Sequence, residues 1–384
     1  MKRCTETTVA MLTPPGRGAV AVLSVEGPQA SELVQSFFRP QGMSSLIDRP
    51  LMRIVYGRWG SDPAEDVIVC RRNEQCVEVH CHGGQSAMRR IIDDLLNRDS
   101  REESWHHWVA GHESSAIRAA ARQELARATT ARSAEILLDQ FDGALEAAVR
   151  GIVQLIEERC DDLSAVAARI EILLDRAPLG LHLTQPWRVV VAGPPNVGKS
   201  SLVNALVGYQ RTIVFDQPGT TRDVVTALTA LSGWPIEFCD TAGWRNSNDP
   251  LETAGVQRAM QQAGTADCLL LMFDLSQPWT NEQQQLVDQW PQAIIVHNKC
   301  DLAKADHRAK DEETSVVTST ITGEGIDLLT RKIVQHLVPI DPAPRTAVPF
   351  TVAQVERLQA ATAALKAVDA PAARRHLLAL LASA

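Results

Sequence analysis

The run Arg188-Val189-Val190-Val191-Ala192 and the octapeptide after it, Gly193-Pro194-Pro195-Asn196-Val197-Gly198-Lys199-Ser200, narrow the possible folds more than any other stretch. An apolar strand ending in GxxxxGK[ST] and continuing into a helix, here Ser201 to Val207, is a phosphate-binding βα unit. The glycines let backbone N–H groups wrap phosphate oxygens at a helix N-terminus. Lys199 can reach β- and γ-phosphates, and Ser200 can hold Mg²⁺. Such a strand needs parallel neighbours. The runs PIEFCDTAG, CLLLMFD, AIIVHNKCD and SVVTST, alternating with helical stretches between residue 186 and about 338, supply them. Several end in polar residues at the edge where open α/β sheets place ligands.

Forty residues after Ser200, PIEFC ends in Asp240-Thr241-Ala242-Gly243, which puts a carboxylate near the magnesium and a glycine amide near a γ-phosphate. Between the two motifs lies Thr220-Thr221-Arg222-Asp223. A threonine hydroxyl here, Thr221, can complete the Mg²⁺ shell only while γ-phosphate is present, the basis of an ordered-to-disordered switch; TTRD by itself also reads as an ordinary turn. Asn298-Lys299-Cys300-Asp301 ends a later strand, and its carboxylate can accept the N1 and N2 protons of guanine, a pair adenine does not offer. Ser319-Thr320 can cap the base. In this order and spacing the segments point to GTP. Trp244 follows the DTAG motif where Ras-like GTPases carry the glutamine that orients the attacking water, and an indole cannot do that work. Glu252 is the candidate for orienting water, with a plain helix-start carboxylate as the alternative, and Asn196 can help hold a monovalent cation.

The 384 residues allow two or three domains. A formal charge of −8 gives no global attraction to polyanions, so any nucleic-acid contact must be local. MKRCTETTVAML lacks the apolar stretch of a secretory signal, no run is long enough to span a membrane, and the eight scattered cysteines contain no CxxC pair; together these predict a reducing cytoplasm. Residues 1 to about 92 read as a mixed α/β domain with strands such as Ala19–Val25 and Val77–Val79. Residues 93–113 read as a linker or irregular insertion. Leu137, Phe141, Leu145, Val149, Ile152, Val153 and Ile156 predict one long amphipathic helix. Leu163 to Leu174 predict a second helix stopping before Pro178. Val352, Val355, Leu358, Leu365 and Val368 predict another, broken at Pro371 and resuming at Leu377 and Leu378.

With these motifs in hand, the chain resembles the bacterial tRNA-modification GTPase family called MnmE or TrmE. Thr13-Pro14-Pro15-Gly16-Arg17-Gly18 resembles that family's opening TPPGRG, and Val77-Glu78-Val79-His80-Cys81-His82-Gly83-Gly84 its ELxGHGG segment. The resemblance implies an α/β P-loop GTPase domain (186–344) inserted in a helical domain (114–185 and 345–384), preceded by an N-terminal α+β folate-binding-like domain (1–113). It implies GTP/GDP contacts along Asn196 to Ser201, Phe215-Asp216-Gln217-Pro218-Gly219-Thr220-Thr221, Asp240 to Gly243, Asn298, Lys299, Asp301, Ser319 and Thr320. Mg²⁺ falls to Ser200, Thr221 and Asp240, and a K⁺ standing in for an arginine finger to Asn196, Phe215, Gln217 and Thr220. Glu252 is the water-positioning group, with Lys199 and Thr221 beside it in catalysis. The implied partners are a second copy of the chain, a flavoprotein and tRNA, whose wobble uridine the family modifies using a folate one-carbon unit.

The departures fall on the folate half. Ser24 stands where the family has an arginine, Glu78 is kept, the PGEF…RAFLNGKLDL segment is not recognisable between 93 and 130, and the chain ends in LLALLASA rather than Cys-Ile-Gly-Lys. Two readings follow: a tRNA-modifying GTPase, or a divergent GTPase switch that has lost the folate and tRNA-modification chemistry. A dehydrogenase is disfavoured because GxxxxGKS is not GxGxxG, and a kinase because no phosphoacceptor pocket is recognisable. His80, Cys81 and His82, with Cys76 and the WHHW cluster at 105–108, invite a metal, but on a strand His80 and His82 share one face and Cys81 the other, so burial or a turn is favoured. Arg71-Arg72 and Arg89-Arg90 read as solvated surface rather than as tRNA contacts.

Overall fold

The structure is a computed structural model that describes residues 6–13, 18–42, 45–158, 163–209, 226–240, 264, 266–303 and 315–382. The described residues form two compact units that meet in sequence between Ala119 and Ala120.

The first unit is a seven-stranded sheet. Its strands are β1 (Thr7–Met11), β2 (Val20–Glu26), β3 (Phe38–Pro40), β4 (Ile54–Trp59), β5 (Glu65–Asn73), β6 (Cys76–His82) and β7 (Ser100–Glu103), in the order β3-β4-β5-β6-β2-β1-β7. Pairing is antiparallel except for β1 with β7. Alternation along the strands sends Ala21, Leu23 and Val25 of β2 and Val77, Val79 and Cys81 of β6 to one face. There they pack against Leu33 and Val34 of α1 (Ala30–Phe37) and Ile91, Ile92 and Leu95 of α2 (Gln85–Leu96). Residues 93–113 are not a linker. They hold the end of α2, β7 and α3 (Trp105–His112), a helix capped by Ser104, whose hydroxyl accepts the His107 N–H at 3.2 Å. The all-polar β7, SREE, carries no apolar alternation because only its pairing to β1 places it in the sheet. Arg71 is likewise not solvated. It is 7% exposed, and its guanidinium donates to the hydroxyl of Ser31 and the carbonyls of Ile47 and Arg49 while pairing with Glu74.

The second unit begins within α4 (Ala116–Leu125) and continues with α5 (Ala131–Phe141), α6 (Ala144–Glu158), α7 (Leu163–Asp175) and the short α8 (Ala177–Leu181). The expected long helix is thus two, α5 and α6. Gly143, at φ 107°, takes a backbone conformation no helix accommodates. Pro178 lies in the first turn of α8, where a missing N–H is harmless. A six-stranded sheet follows: β8 (Trp187–Ala192), β9 (Thr226–Leu231), β10 (Trp234–Asp240), β11 (Cys268–Asp274), β12 (Ile294–Asn298) and β13 (Ser315–Val317), in the order β13-β12-β11-β8-β10-β9. Every pairing is parallel except β9 with β10. Its helices are α9 (Lys199–Tyr209), α10 (Asn281–Gln289) and α11 (Ile326–Leu337).

The chain then returns to the helical bundle as α12 (Val352–Lys366) and α13 (Ala370–Leu381), which pack on α7 and α6 respectively. The buried face of α12 is Gln354, Leu358, Ala361 and Leu365. Val352 and Val368, expected on the apolar face, are 57% and 78% exposed. Val352 sits in the first turn beside the Thr351–Gln354 capping box, and Val368 lies past the helix end at φ 59°. The segment between α11 and α12 is fastened to α5. Buried Gln140 donates to the Thr346 carbonyl at 3.0 Å and accepts the Val348 N–H at 3.1 Å.

Candidate nucleotide-binding site

β8 runs through the middle of the second sheet with Val189, Val190 and Val191 fully buried, so the loop after it is presented at the sheet's C-terminal edge. Gly193 has φ +147°, and a Cβ there would lie 2.1 Å from the Met272 carbonyl oxygen of β11. Only glycine fits. Asn196 (φ 61°) and Gly198 (φ +100°) turn the loop back to the start of α9, whose first turn carries Ser200 and Ser201. The Lys199 ammonium donates to the carbonyls of Gly193 (2.9 Å) and Pro194 (2.7 Å), so its charge is held against the loop. A helix N-terminus and an ammonium on one loop can receive a polyphosphate.

The other wall comes from the ends of β12 and β13. Asn298, 1% exposed, donates from Nδ2 to the Val197 carbonyl at 2.9 Å and accepts the Thr318 hydroxyl on Oδ1 at 3.2 Å, bolting this wall to the phosphate loop. Lys299 adopts φ 64° and places its ammonium 2.7 Å from Asp274 Oδ2 at the end of β11. Burial pushes the Asp274 carboxyl up, but the hydrogen bonds from Lys299 and Ser276 outweigh it and hold the group below the usual carboxylate range. Asp301, exposed, accepts the Ser319 hydroxyl at 2.6 Å. Buried Ser319 is held in turn by the N–H groups of Ile321 and Thr322, and Thr320 lies half-buried beside it. An exposed carboxylate oriented in this way can read paired donors on a flat base.

The structure therefore brings together Asn196, Val197, Gly198, Lys199, Ser200, Ser201, Asn298, Lys299, Asp301, Ser319 and Thr320 around one edge of the sheet. The backbone of Asp240 reaches that edge in register with Val191. Phe215 to Thr221, Thr241 to Gly243, Trp244 and Glu252 lie outside the described residues. Sequence reasoning missed Asp274 and Thr318, the two brackets that orient Lys299 and Asn298. Asp274 had a signal, being the polar end of the strand CLLLMFD.

In the first unit, Ser24 faces Glu78 across β2 and β6. The Ser24 hydroxyl donates to Glu26 Oε1 at 2.7 Å, and Glu26 also accepts the Trp108 indole N–H at 2.6 Å and pairs with His112 at 3.1 Å. Glu78 pairs with Arg72 at 3.4 Å and His80 at 3.5 Å. Among the described residues, Arg72, His80 and His112 are matched to the protein's own carboxylates Glu78 and Glu26, which does not fit a ligand bearing carboxylates of its own, as folate does. Cys81 is buried in the core, its thiol pushed up to about 11 by desolvation, while exposed His82 bonds Glu65. Among the described residues no three His, Cys, Asp or Glu side chains are grouped so as to hold a metal ion.

A mainly parallel sheet with GxxxxGKS at the end of a central strand, bolted to an NKxD loop two strands away, defines a P-loop GTPase. Residues 188–299 match the family profile described as 50S ribosome-binding GTPase, and residues 7–105 that described as GTP-binding protein TrmE N-terminus. The chain is 32% identical over 374 residues to the tRNA modification GTPase MnmE of Synechococcus sp. (strain WH7803), covering 85% of this chain and 80% of the relative. It is 32% identical over 376 residues to that of Geobacillus kaustophilus (strain HTA426), covering 85% and 81%. Among solved structures, the G domain of the T. maritima FeoB iron transporter matches at 29% identity over 40% of this chain and 99% of that one, with a TM-score of 0.29. The chain belongs to the MnmE (TrmE) family and is a GTPase. Among its described residues no helix is long and apolar enough to cross a membrane.

Proposed function

We propose that this chain hydrolyses GTP to GDP and phosphate as its part in modifying the wobble uridine of tRNA, in a cytoplasmic homodimer that works with a flavoprotein. The observation that carries the reading is the Asn298 bracket, which joins the phosphate loop to the base-reading loop through a buried side chain. Residues 186–344 form the GTPase domain, 114–185 with 345–384 the helical domain, and 1–113 the N-terminal domain. Lys199 takes the β- and γ-phosphates. Ser200, Thr221 and Asp240 hold Mg²⁺, which neutralises the phosphate charge when bound. Asp301 selects guanine, with Ser319 and Thr320 over the base. Asn196 and the carbonyls of Phe215, Gln217 and Thr220 hold K⁺, and Glu252 orients the attacking water in place of the glutamine that Trp244 displaces. The paired state of Ser24, Glu26 and Glu78 speaks against folate on the N-terminal sheet.

The test is nucleotide titration alongside phosphate release from GTP. Lys199→Ala removes a charged partner worth about 2–5 kcal/mol, so GTP affinity falls at least about thirtyfold. Asp301→Asn lowers the preference for guanine over other bases. Tight, guanine-selective binding in both variants overturns the assignment. In cells without the protein, wobble-uridine modification measured by mass spectrometry of tRNA should fall, and unchanged tRNA overturns the tRNA role alone.

A further inference from the structure

β3 and β4 form one edge of the seven-stranded sheet. Alternation turns Phe38 and Trp59 into the core, at 1% and 0% exposure, and leaves Arg39, Tyr56 and Arg58 exposed on the opposite face. Arg39 and Arg58 are register partners. On either side of them the Gly60 N–H donates to the Phe37 carbonyl and the Gln41 N–H to the Tyr56 carbonyl, both at 2.9 Å. By the two-residue period the arginines are then a hydrogen-bonded pair, with Cα atoms ~5.5 Å apart. Gly57 permits this close approach, since a Cβ there would lie 2.3 Å from the Arg39 carbonyl oxygen.

Like charges directly opposite each other destabilise a sheet. Other arginines of this unit face carboxylates: Arg72 meets Glu78, Arg89 meets Asp93 and Arg101 meets Glu6. Arg39 has no ion-pair or hydrogen-bond partner among the described residues. Arg58 reaches Asp62 and Asp66 only at 3.8 and 3.9 Å, in exposed pairs that contribute little. The two cationic side chains line a cleft of about 560 Å³ together with Gln41, Tyr56 and Asp62. The Asp62 side chain is 91% exposed, so it stays hydrated when Arg58 turns to another anion. The Tyr56 hydroxyl donates to Asp66 at 3.0 Å, which holds the phenol ring at the rim of the cleft.

We propose that the β3–β4 edge is where this chain holds RNA, with one backbone phosphate between Arg39 and Arg58 and the adjoining base against the ring of Tyr56. The proposal rests on the tRNA reading above and gives that substrate a contact surface. A phosphate between the guanidinium groups replaces their repulsion with charge-assisted hydrogen bonds. A free anion would use the arginines alone. A single strand alternates phosphates with flat bases, and so matches a cation pair beside an exposed ring. The formal charge of −8 confines the contact to such a local patch.

The test is binding of a fluorescent, unmodified tRNA transcript with uridine at the wobble position to the full chain, read by anisotropy between about 50 and 200 mM KCl. The double variant Arg39→Ala, Arg58→Ala should lower affinity at least about tenfold and flatten the slope of log affinity against log salt by about 0.7, the value for one single-strand phosphate. Tyr56→Ala should weaken binding at least about fivefold with the slope unchanged, and Tyr56→Phe should bind as the wild type does. Arg89→Ala, on the helix that covers the other face, should change neither quantity. Both cleft arginines are exposed, so the free Arg39→Ala protein should melt no lower than the wild type. Unchanged affinity and slope in the double variant, equal losses in Arg89→Ala, or a Tyr56→Phe variant as weak as Tyr56→Ala overturns the proposal, as does a lowered melting temperature. A wild-type chain that hydrolyses GTP yet binds no tRNA instead overturns the tRNA reading on which it rests.

Discussion

Asn298→Ala tests the geometry of the nucleotide site without touching a group assigned to the phosphates. The wild-type amide satisfies the Val197 carbonyl at 2.9 Å and the Thr318 hydroxyl at 3.2 Å, with Asn298 and Thr318 at 1% and 0% exposure. Alanine leaves both partners buried and unmatched, at about 1–3 kcal/mol each. The Thr318 hydroxyl can rotate toward another acceptor, so the loss of folding stability should be about 2–4 kcal/mol. If half of it appears as disorder in the phosphate loop, GDP affinity falls roughly five- to thirtyfold. Asn298→Asp should be worse, because it places a carboxylate oxygen against the Val197 carbonyl and buries a charge. Denaturant unfolding and GDP titration read the two quantities separately. An alanine variant with wild-type stability and GDP affinity within twofold would refute the bracket.

Other outcomes follow from single residues. GTP turnover should be faster in KCl than in NaCl, and Asn196→Ala should erase the difference; equal rates in the two salts for the wild type remove K⁺ from the mechanism. Glu252→Ala should bind GTP normally and hydrolyse it slowly, so an unchanged rate removes Glu252. His112 is pushed up by its hydrogen bond to Glu26, against burial, so its stabilising pair is complete below its unfolded value of about 6.5 and fades as pH rises through the raised one. The melting-temperature gap between wild type and His112→Gln should therefore be widest near pH 6 and shrink toward pH 9, and a gap constant with pH refutes the pair.

Glycines, strand periodicity and motif spacing made the GTPase sheet legible, because backbone requirements such as that at Gly193 exclude other residues. β9 was not legible: TALTAL is short and weakly apolar, and it becomes a strand only by pairing with β10. The helices were visible as periodicity, yet their boundaries were not, since the apolar spacing from Leu137 to Ile156 runs unbroken across Gly143, whose positive φ separates α5 from α6. Residues 93–113 were opaque because β7 owes its place to the backbone of β1 and α3 presents only Val109 fully to the core. At the site, Lys199, Asn298 and Asp301 could be read from their spacing. Asp274 and Thr318, acting through other side chains, are separated in sequence from what they orient and share no motif with it.

The divided helical bundle has a consequence for synthesis of the chain. α6 and α7 emerge from the ribosome with the faces that will meet α13 and α12 uncovered, and residues 176 to 351 must be made before the first covering helix appears. At ~5–20 residues per second that is on the order of 10–35 s with an apolar stripe facing solvent. The nascent helices therefore need shelter until the GTPase sheet is complete. Synthesis of α12 and α13, rather than emergence of α7, becomes the moment at which this unit commits to its fold.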